Sequence, residues 1–559
     1  MIGPPGCGVV EGVSLAGSCE SAGALRSPWH RLARPWLLTA LAGAVVIAYG
    51  RVGPDWAAQE YRSWFARNIG LRVWNDAWYA GHALPSYSVL YPPVAALLGA
   101  GLTGLGSATA LAWAGCRLMD SPVRGPASRR GRVLVAQLVL AICVLSSLVI
   151  GQVPFLLGAA SGAIAILGVR DRHRWIALIA AVACSLASPL AGVFLACIAA
   201  GWLPTVGWRR VLPLSGVLVG GVATTVFGGN PGTFPFDAFS AVPFAIFALL
   251  VLLLAPRRLR TVRLSVAWCA AVAAILVAVP NAVGANIIRL PQLAALPLAA
   301  WVIADPASSG WIRGRARRLG VFFAMVAAGV WLFVPVVSAV ARGSADPSNE
   351  KSYYAGLLRF LATQDATNGR LEIPFTREHW EAAYVAPTFP IARGWERQLD
   401  VAYNAELYRP LSADVYRAWL DETGVRLVAI PDVPLDYGGV AERELLSDPP
   451  AYLQLRYADQ HWRVYEVSDP TPMITGPATL DAMGPTTLTI QFHEPGTATV
   501  KVHASPFWTV DDGGACIAST PSSWLVVTAS RAQTVTVESR ISPASLLGQS
   551  PSACDRDGD

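Results

Sequence analysis

The sequence predicts a polytopic α-helical membrane bundle of about eleven transmembrane helices, followed by a C-terminal extracytoplasmic α/β plus β-sandwich domain. Three observations support this fold class. Of the 559 residues, 53% are hydrophobic and only 14% are charged, whereas soluble proteins are about 25% charged. Apolar runs long enough to span a bilayer recur up to about residue 340, with arginines between them. After that point acidic residues, tyrosines and polar turns return to the density of a globular domain.

The membrane part is assigned to residues 31–343, after a Gly-, Ser- and Ala-rich segment 1–30 that is predicted to be disordered. The first apolar run is interpreted as an uncleaved signal anchor, because no clear cleavage site follows it. The boundary at Pro189 fits either two spans or a re-entrant kink. The predicted spans are 36–53, 87–116, 133–151, 153–169, 174–189, 190–204, 210–228, 239–255, 264–281, 288–304 and 319–341.

The arginines predict the orientation of the bundle. They cluster in every second loop, whereas the loops around Gly151, Pro189 and 229–237 contain no Lys or Arg. The positive-inside rule therefore predicts a multi-pass plasma-membrane protein with a cytoplasmic N-terminus and an extracytoplasmic C-terminal domain. The arginines of these loops, which are expected to contact membrane lipids, explain the net charge of +6. The charge therefore does not indicate nucleic-acid binding.

The predicted outer loop 51–86 has an unusual density of charged and aromatic residues. The apolar positions between Asp55 and Arg67 predict an amphipathic helix that lies along the membrane surface with its aromatic side chains at headgroup depth. The tract that follows contains Gly81, Pro85 and the pair Pro92–Pro93, which predict a rigid turn into the second span.

The tract GPDWAAQEY around Asp55, together with the pattern of spans over roughly residues 30–340, resembles the GT-C superfamily of membrane glycosyltransferases. Residues Trp74 to Pro93 look similar to tracts in its actinobacterial members that depend on polyprenyl-phosphate sugars. Gly151–Gln152 is a further GT-C-like feature, and Asp237 is the acid found in a later outer loop. The resemblance implies an enzyme of cell-wall biosynthesis that transfers a sugar from a polyprenyl-phosphate donor to a cell-envelope glycan or lipid on the outer face.

The resemblance also implies the candidate catalytic residues. Asp55 is the expected base for the acceptor hydroxyl, with Glu60 and Asp76 as further acidic candidates, and Arg289 is the expected ligand of the lipid phosphate. Each residue also has a structural interpretation. Asp55 fits a helix cap, Glu60 and Asp76 fit surface ion pairs, and Arg289 fits an arginine that reaches the membrane interface.

The candidate substrate-binding residues are His82, Tyr87, Trp78, Trp395 and Arg397. The aromatic residues of the loop also fit interfacial anchors, and residues 379–408 fit either a glycan-binding surface or a connection to the membrane bundle. No metal ligands are predicted and no cofactor is indicated with certainty, although a divalent metal remains open. The sequence contains no P-loop, dinucleotide fingerprint, HExxH or CxxC motif.

The C-terminal domain is divided into an α/β part, 344–473, and a β-rich part, 474–559. Within the first, Ala413–Thr423 is predicted to be a helix that ends at Gly424 and leads directly into a strand. In the second, alternating residues on both sides of 494–496 predict a β-hairpin within a small sandwich. An oxidising compartment would allow Cys516 and Cys554 to pair, although their spacing does not establish the bond.

Two other classes of function remain open. One is a non-catalytic membrane scaffold or glycan-binding protein of the cell envelope, which weak acidic motifs would favour. The other is a transporter for an envelope lipid or glycan, which would need a polar cavity. The predicted spans contain almost no charged residues, and this argues against a proton-driven transporter.

Overall fold

The computed structural model describes residues 34–50, 53–120, 127–227, 232–234, 236, 238–303, 315–511 and 513–554. The segment 1–30 that was predicted to be disordered, and Asp237, lie outside the described residues.

Seven helical stretches of the described chain are long and apolar enough to cross a membrane. They are Val133–Ile150, Val153–Arg170, Pro189–Val206, Trp208–Phe227, Arg260–Ala278, Gly284–Ile303 and Phe322–Gly343. Three shorter apolar helices also coincide with predicted spans, namely Pro35–Tyr49, Arg174–Ala187 and Phe244–Leu253. The chain is therefore a helical membrane protein, and the total of eleven spans stays a prediction.

The predicted span 87–116 is not one continuous helix. Two helices, Tyr91–Leu98 and Ala100–Met119, meet there at 112°. Gly99 lies between them with φ +81°, a conformation that glycine adopts without steric cost. The shorter helix packs on the helix Trp56–Asn68, which we call the loop helix. Apolar composition continues across the bend, so hydropathy could not reveal it.

The aromatic side chains of the loop helix were expected at headgroup depth, and this expectation is wrong for three of them. That the helix lies along the membrane surface stays a prediction. Trp56, Tyr61 and Phe65 are at most 2% exposed. Trp56 packs on the membrane bundle, where its Nε1 donates a hydrogen bond to the Val149 carbonyl at 3.1 Å. On the C-terminal region (345–554), the short helix Glu381–Tyr384 packs on the loop helix. The interpretation as interfacial anchors is wrong for four further aromatic residues that are buried in protein: Trp74, Trp78, Tyr79 and Tyr91.

In the first loop, the short strands β1 (Trp74–Asn75) and β2 (His82–Ala83) pair antiparallel.

The α/β part contains one four-stranded sheet with its helices. In sheet order the strands are β3 (Arg370–Glu372), β4 (Val425–Pro431), β6 (Trp462–Val467) and β5 (Leu453–Ala458). The main helices are Ala355–Leu361, Arg397–Tyr403, Ala413–Thr423 and Val440–Leu446. The predicted helix Ala413–Thr423 is confirmed. Ser412 accepts a hydrogen bond from the backbone of Val415, and Gly424 ends the helix with φ +67°.

The β-rich part is a sandwich of two four-stranded sheets, as predicted. One sheet has the order β12 (Ala515–Ser519), β13 (Trp524–Ala529), β10 (Gly496–His503), β7 (Ile474–Thr475). The other has the order β11 (Trp508–Val510), β14 (Gln533–Ser539), β9 (Thr487–Phe492), β8 (Ala478–Met483). A disulfide joins Cys516 to Cys554.

The predicted hairpin across 494–496 is wrong, because β9 and β10 belong to different sheets. β9 pairs with β14 and β8, whereas β10 pairs with β13 and β7. Alternate residues of both strands are fully buried, among them Ile490 and Val500. The connection therefore crosses from one sheet to the other, and the two apolar faces meet in one core.

Gly151 allows the first loop to lie directly on the end of the helix Ala127–Ile150. The Asp55 backbone donates a hydrogen bond to the Ile150 carbonyl at 3.0 Å. Gly151 has φ +91°, and a Cβ there would lie 2.7 Å from the backbone nitrogen of Trp56. The glycine is therefore required both by its conformation and by the approach of the loop.

We expect Gly151→Ala to lower the free energy of unfolding by about 2–6 kcal/mol, the sum of backbone strain and overpacking. Thermal unfolding of the full chain in detergent measures the loss. Gly106→Ala is the matched control, since a Cβ at Gly106 meets nothing within 4 Å and alanine favours a helix. Equal midpoints for the two variants would contradict this role of Gly151.

Candidate functional site

An ion pair between the first loop and a distant membrane helix forms the centre of the candidate site. Asp55 precedes the loop helix, yet its side chain makes no capping hydrogen bond. Instead its Oδ2 lies 3.3 Å from Nη2 of Arg289, which begins the helix Arg289–Ile303. The two side chains are only 10% and 11% exposed. The structure thus pairs the predicted base with the predicted phosphate ligand.

The ion pair continues into a line of aromatic and charged side chains. Arg289 Nη1 donates to the Tyr87 hydroxyl at 2.9 Å. The guanidinium of Arg62 lies 4.6 Å from the centre of the Tyr87 ring and forms an ion pair with Glu396. We call these five residues the Asp55–Glu396 network. It joins three predicted site residues, Asp55, Tyr87 and Arg289, to two that sequence reasoning missed.

The C-terminal region is attached to the first loop beside Asp55. Trp395 Nε1 donates to the carbonyl of Pro54 at 2.7 Å, and the Tyr79 hydroxyl donates to the carbonyl of Glu396 at 3.0 Å. Arg397 lies within the C-terminal region, where it forms an ion pair with Asp436 at 2.6 Å. Residues 379–408 were interpreted either as a glycan-binding surface or as a connection to the membrane bundle. The contacts of Trp395 match the second interpretation.

Two glutamines near Asp55 have polar atoms without partners among the described residues. Gln59 follows Asp55 by one helical turn, and neither its amide nitrogen nor its amide oxygen has a hydrogen bond. The same holds for Oε1 of Gln152, next to Gly151. A buried unsatisfied polar group costs about 1–3 kcal/mol, so native proteins keep few of them without a functional reason. Both amides are candidates for contact with a polar substrate.

The other predicted site residues lie on different parts of the first loop. Asp76 accepts a hydrogen bond from Trp74 at 2.7 Å, and its backbone donates to Pro485 of the sandwich region. His82 stacks on Trp78 with ring centres 5.4 Å apart, and burial lowers its pKa to about 4, so it is neutral at physiological pH. Glu60 is half-buried on the loop helix. The partners of Asp76 thus belong to the loop and the sandwich, whereas Asp55 contacts the bundle.

Burial controls the charge of the carboxyl groups at this site. The pKa of Asp55 is raised by burial, and Arg289 and Arg62 oppose the shift. Glu378, which is 3% exposed, lies close enough to Asp55 for the two charges to interact. Burial is the main cause that raises the Glu378 pKa to about 8, and the nearby Arg342 opposes it. Sequence reasoning missed Glu378 because its approach depends on how the C-terminal region packs on the loop helix.

Glu378 should make stability depend on pH. Its pKa in the folded chain, about 8, exceeds its ordinary value of 4.5. The folded state therefore holds this proton more tightly than the unfolded state does. The contribution of Glu378 to the free energy of unfolding is fully present below pH 4.5 and is lost as the pH rises towards 8. We expect Glu378→Gln, which mimics the protonated acid, to reduce the fall in thermal midpoint over this range. Glu444→Gln, at an exposed position, is the control, and equal pH profiles for wild type and Glu378→Gln would contradict the expectation.

A large apolar cavity lies in the membrane bundle next to Arg289. Its volume is about 430 Å³, and Leu290 and Pro291, which follow Arg289, line it together with Phe155, Phe194 and Trp301. The helix that begins at Arg289 therefore lines this apolar space with the residues that directly follow the arginine. Among the described residues, no three His, Cys, Asp or Glu side chains form a group that could hold a metal ion.

Fold and site together define a helical membrane protein whose C-terminal α/β and β-sandwich region covers a buried carboxylate–arginine pair. No protein-family model and no curated protein matches the chain. Among solved structures it is similar to the arabinofuranosyltransferase AftD from mycobacteria, with 16% identity, a TM-score of 0.45, and coverage of 83% of this chain and 40% of that one. A structure of a mutant of the same mycobacterial enzyme gives 16% identity, a TM-score of 0.41, and coverage of 83% and 42%. The chain thus spans about two fifths of the length of these structures.

Proposed function

We propose that the chain is a membrane glycosyltransferase of the GT-C type, which transfers a sugar from a polyprenyl-phosphate donor to a hydroxyl group of a cell-envelope glycan or lipid. The observation that carries this proposal is the buried Asp55–Arg289 pair, together with an apolar cavity of about 430 Å³ that is lined by the two residues following Arg289. A donor of this class has a sugar, a phosphate and a long apolar chain. The site offers a carboxylate, a guanidinium and an apolar space that suit these three parts.

The proposed reaction is a single displacement at the anomeric carbon. The acceptor oxygen forms a bond to this carbon as its proton passes to Asp55, and the bond between the carbon and the phosphate oxygen breaks. The electron pair leaves with the polyprenyl phosphate, whose negative charge Arg289 stabilises. The Tyr87 hydroxyl, which accepts a hydrogen bond from Arg289, holds the guanidinium in place for this contact.

The proposed location is the outer face of the plasma membrane, with the N-terminus in the cytoplasm. The positive-inside pattern of the arginines supports this orientation. The disulfide between Cys516 and Cys554 supports it as well, because such bonds persist in oxidising compartments. In this orientation the C-terminal region covers Asp55 from the side on which envelope glycans lie, and Gln59 and Gln152 offer hydrogen bonds to sugar hydroxyls.

The test is sugar transfer by the purified full chain in lipid nanodiscs. Radiolabelled polyprenyl-phosphate sugars are the donors, nucleotide sugars are the comparison, and envelope glycans are the acceptors. We expect label in the glycan from the lipid-linked donor alone. Transfer from nucleotide sugars would overturn the donor class. No transfer from any donor, by protein that shows a cooperative unfolding transition, would favour the scaffold or the transporter.

A further inference from the structure

A second cavity, of about 170 Å³, lies on the side of the loop helix that carries Arg62. Its wall is mostly apolar and includes Phe65, Phe227 and Ile541. The polar side chains among its lining residues are Arg62, Arg72 and Ser88. Arg72 is engaged in an ion pair with Glu538 at 2.9 Å. Arg62, in contrast, is a cation of this wall with hydrogen-bond donors that are unused within the described residues.

Arg62 is 2% exposed, and only part of its guanidinium is used. Nη2 contacts Glu396, whereas Nε and Nη1 have no hydrogen-bond partner within the described chain. Buried arginine donors without partners are costly, and phosphate oxygens are acceptors that suit guanidinium geometry. Arg62 thus brings a buried charge with unused donors to a mostly apolar cavity.

The exposed part of the wall, which we take as the mouth of the second cavity, lies beside the end of a candidate membrane span. Phe227, in its wall, is the last residue of the span Trp208–Phe227. Two further wall residues come from loops and expose apolar side chains, with Leu71 66% and Ile541 53% exposed. Exposed apolar residues beside the end of a span indicate contact with lipid.

The size of the second cavity limits what it can hold. Pockets for drug-sized ligands measure about 300–1,000 Å³, so a cavity of about 170 Å³ accommodates a head group and the first carbons of a chain. The rest of the chain must then leave through the mouth between Leu71 and Ile541. An amphiphile whose tail remains in the bilayer satisfies this requirement.

We propose that the second cavity is a lipid-binding site that takes the phosphate head of an anionic amphiphile from the bilayer, with the phosphate on Arg62. The site is separate from Asp55, but Arg62 packs on Tyr87, which accepts a hydrogen bond from Arg289. A lipid bound here would therefore contact the Asp55–Glu396 network. The inference goes beyond the proposed function, because lipid can be retained whether or not sugar is transferred.

The test measures bound lipid by native mass spectrometry of the full chain released from phosphatidylcholine nanodiscs. One set of nanodiscs contains added phosphatidylglycerol and another contains added polyprenyl monophosphate. We expect wild type to retain the anionic lipid, and Arg62→Gln to retain about tenfold less, which is what loss of one charged hydrogen bond predicts. The nanodiscs from which lipid is retained show whether the bound phosphate belongs to phosphatidylglycerol or to polyprenyl monophosphate.

Leu71→Trp, which narrows the mouth at an exposed position, should also lower retention. Leu547→Trp is its control, since Leu547 is 81% exposed and lies outside the cavity wall. If Arg62→Gln does not fold, the retention measured for Leu71→Trp alone tests whether the cavity binds lipid. Equal retention by all folded variants, or no retention by wild type, would overturn the lipid site and leave the transfer assay untouched. If wild type retains the anionic lipid but transfers no sugar, only the proposed function is overturned.

Discussion

Asp55→Asn should lower the rate of sugar transfer by about 10²–10⁴-fold, which is the usual contribution of a general base. Asparagine has nearly the same shape as aspartate, but it cannot accept the proton of the acceptor hydroxyl. Arg289 would keep its hydrogen bond to Tyr87, so the helix that it begins should stay in place. Initial rates at saturating donor measure the loss. In wild type the rate should rise with pH through the raised pKa of Asp55, because only the ionised carboxylate is a base.

Asp76→Asn is the matched control for this experiment. Burial raises the pKa of Asp76 well above its ordinary value, which favours the neutral acid, and an amide is a close replacement for that form. We expect this variant to transfer sugar at a rate close to that of wild type. Transfer that survives Asp55→Asn and is lost in Asp76→Asn or Glu60→Gln would move the base to that residue.

Arg393→Met should destabilise the C-terminal region by about 3–5 kcal/mol, the usual cost of breaking a buried ion pair. Arg393 is 1% exposed and makes ion pairs at 2.6 Å with both Asp400 and Glu442. It also lies 3.7 Å from the centre of the Phe375 ring. Methionine fills much of the volume but leaves buried carboxylates without a cation. Thermal unfolding of the full chain in detergent measures the loss.

The loss in Arg393→Met should depend on pH. Burial raises the pKa of Glu442. It also raises the pKa of Glu372, which lies close to Arg393, well above its ordinary value. Lowering the pH protonates these groups, so the variant should lose less stability at pH 5 than at pH 8. Arg540→Met is the control, because Arg540 is 48% exposed in its ion pairs with Asp511 and Glu538, and exposed pairs contribute little. A loss no larger than that of Arg540→Met would contradict the role of Arg393.

Local patterns determined the membrane helices, the helix Ala413–Thr423 and the existence of a β-sandwich. Hydropathy identifies a span because every residue of the span meets the same apolar solvent. Likewise, Gly424 ends its helix through its own backbone conformation. These features depend on neighbouring residues in the chain, so a single sequence contains the information needed to predict them.

The tertiary structure decided which strands pair and which residues meet at the candidate site. The alternation in β9 and β10 fits one sheet or two facing sheets equally well, and only the shared core selects the second arrangement. Asp55 and Arg289 are 234 positions apart, and Trp56 is buried against membrane helices that come much later in the chain, with a hydrogen bond from its Nε1 to the Val149 carbonyl. The sequence alone suggested Asp55, Tyr87 and Arg289 as separate candidates. Their contact, and the addition of Arg62 and Glu396, follows from packing between distant segments, which leaves no periodic signal along the chain.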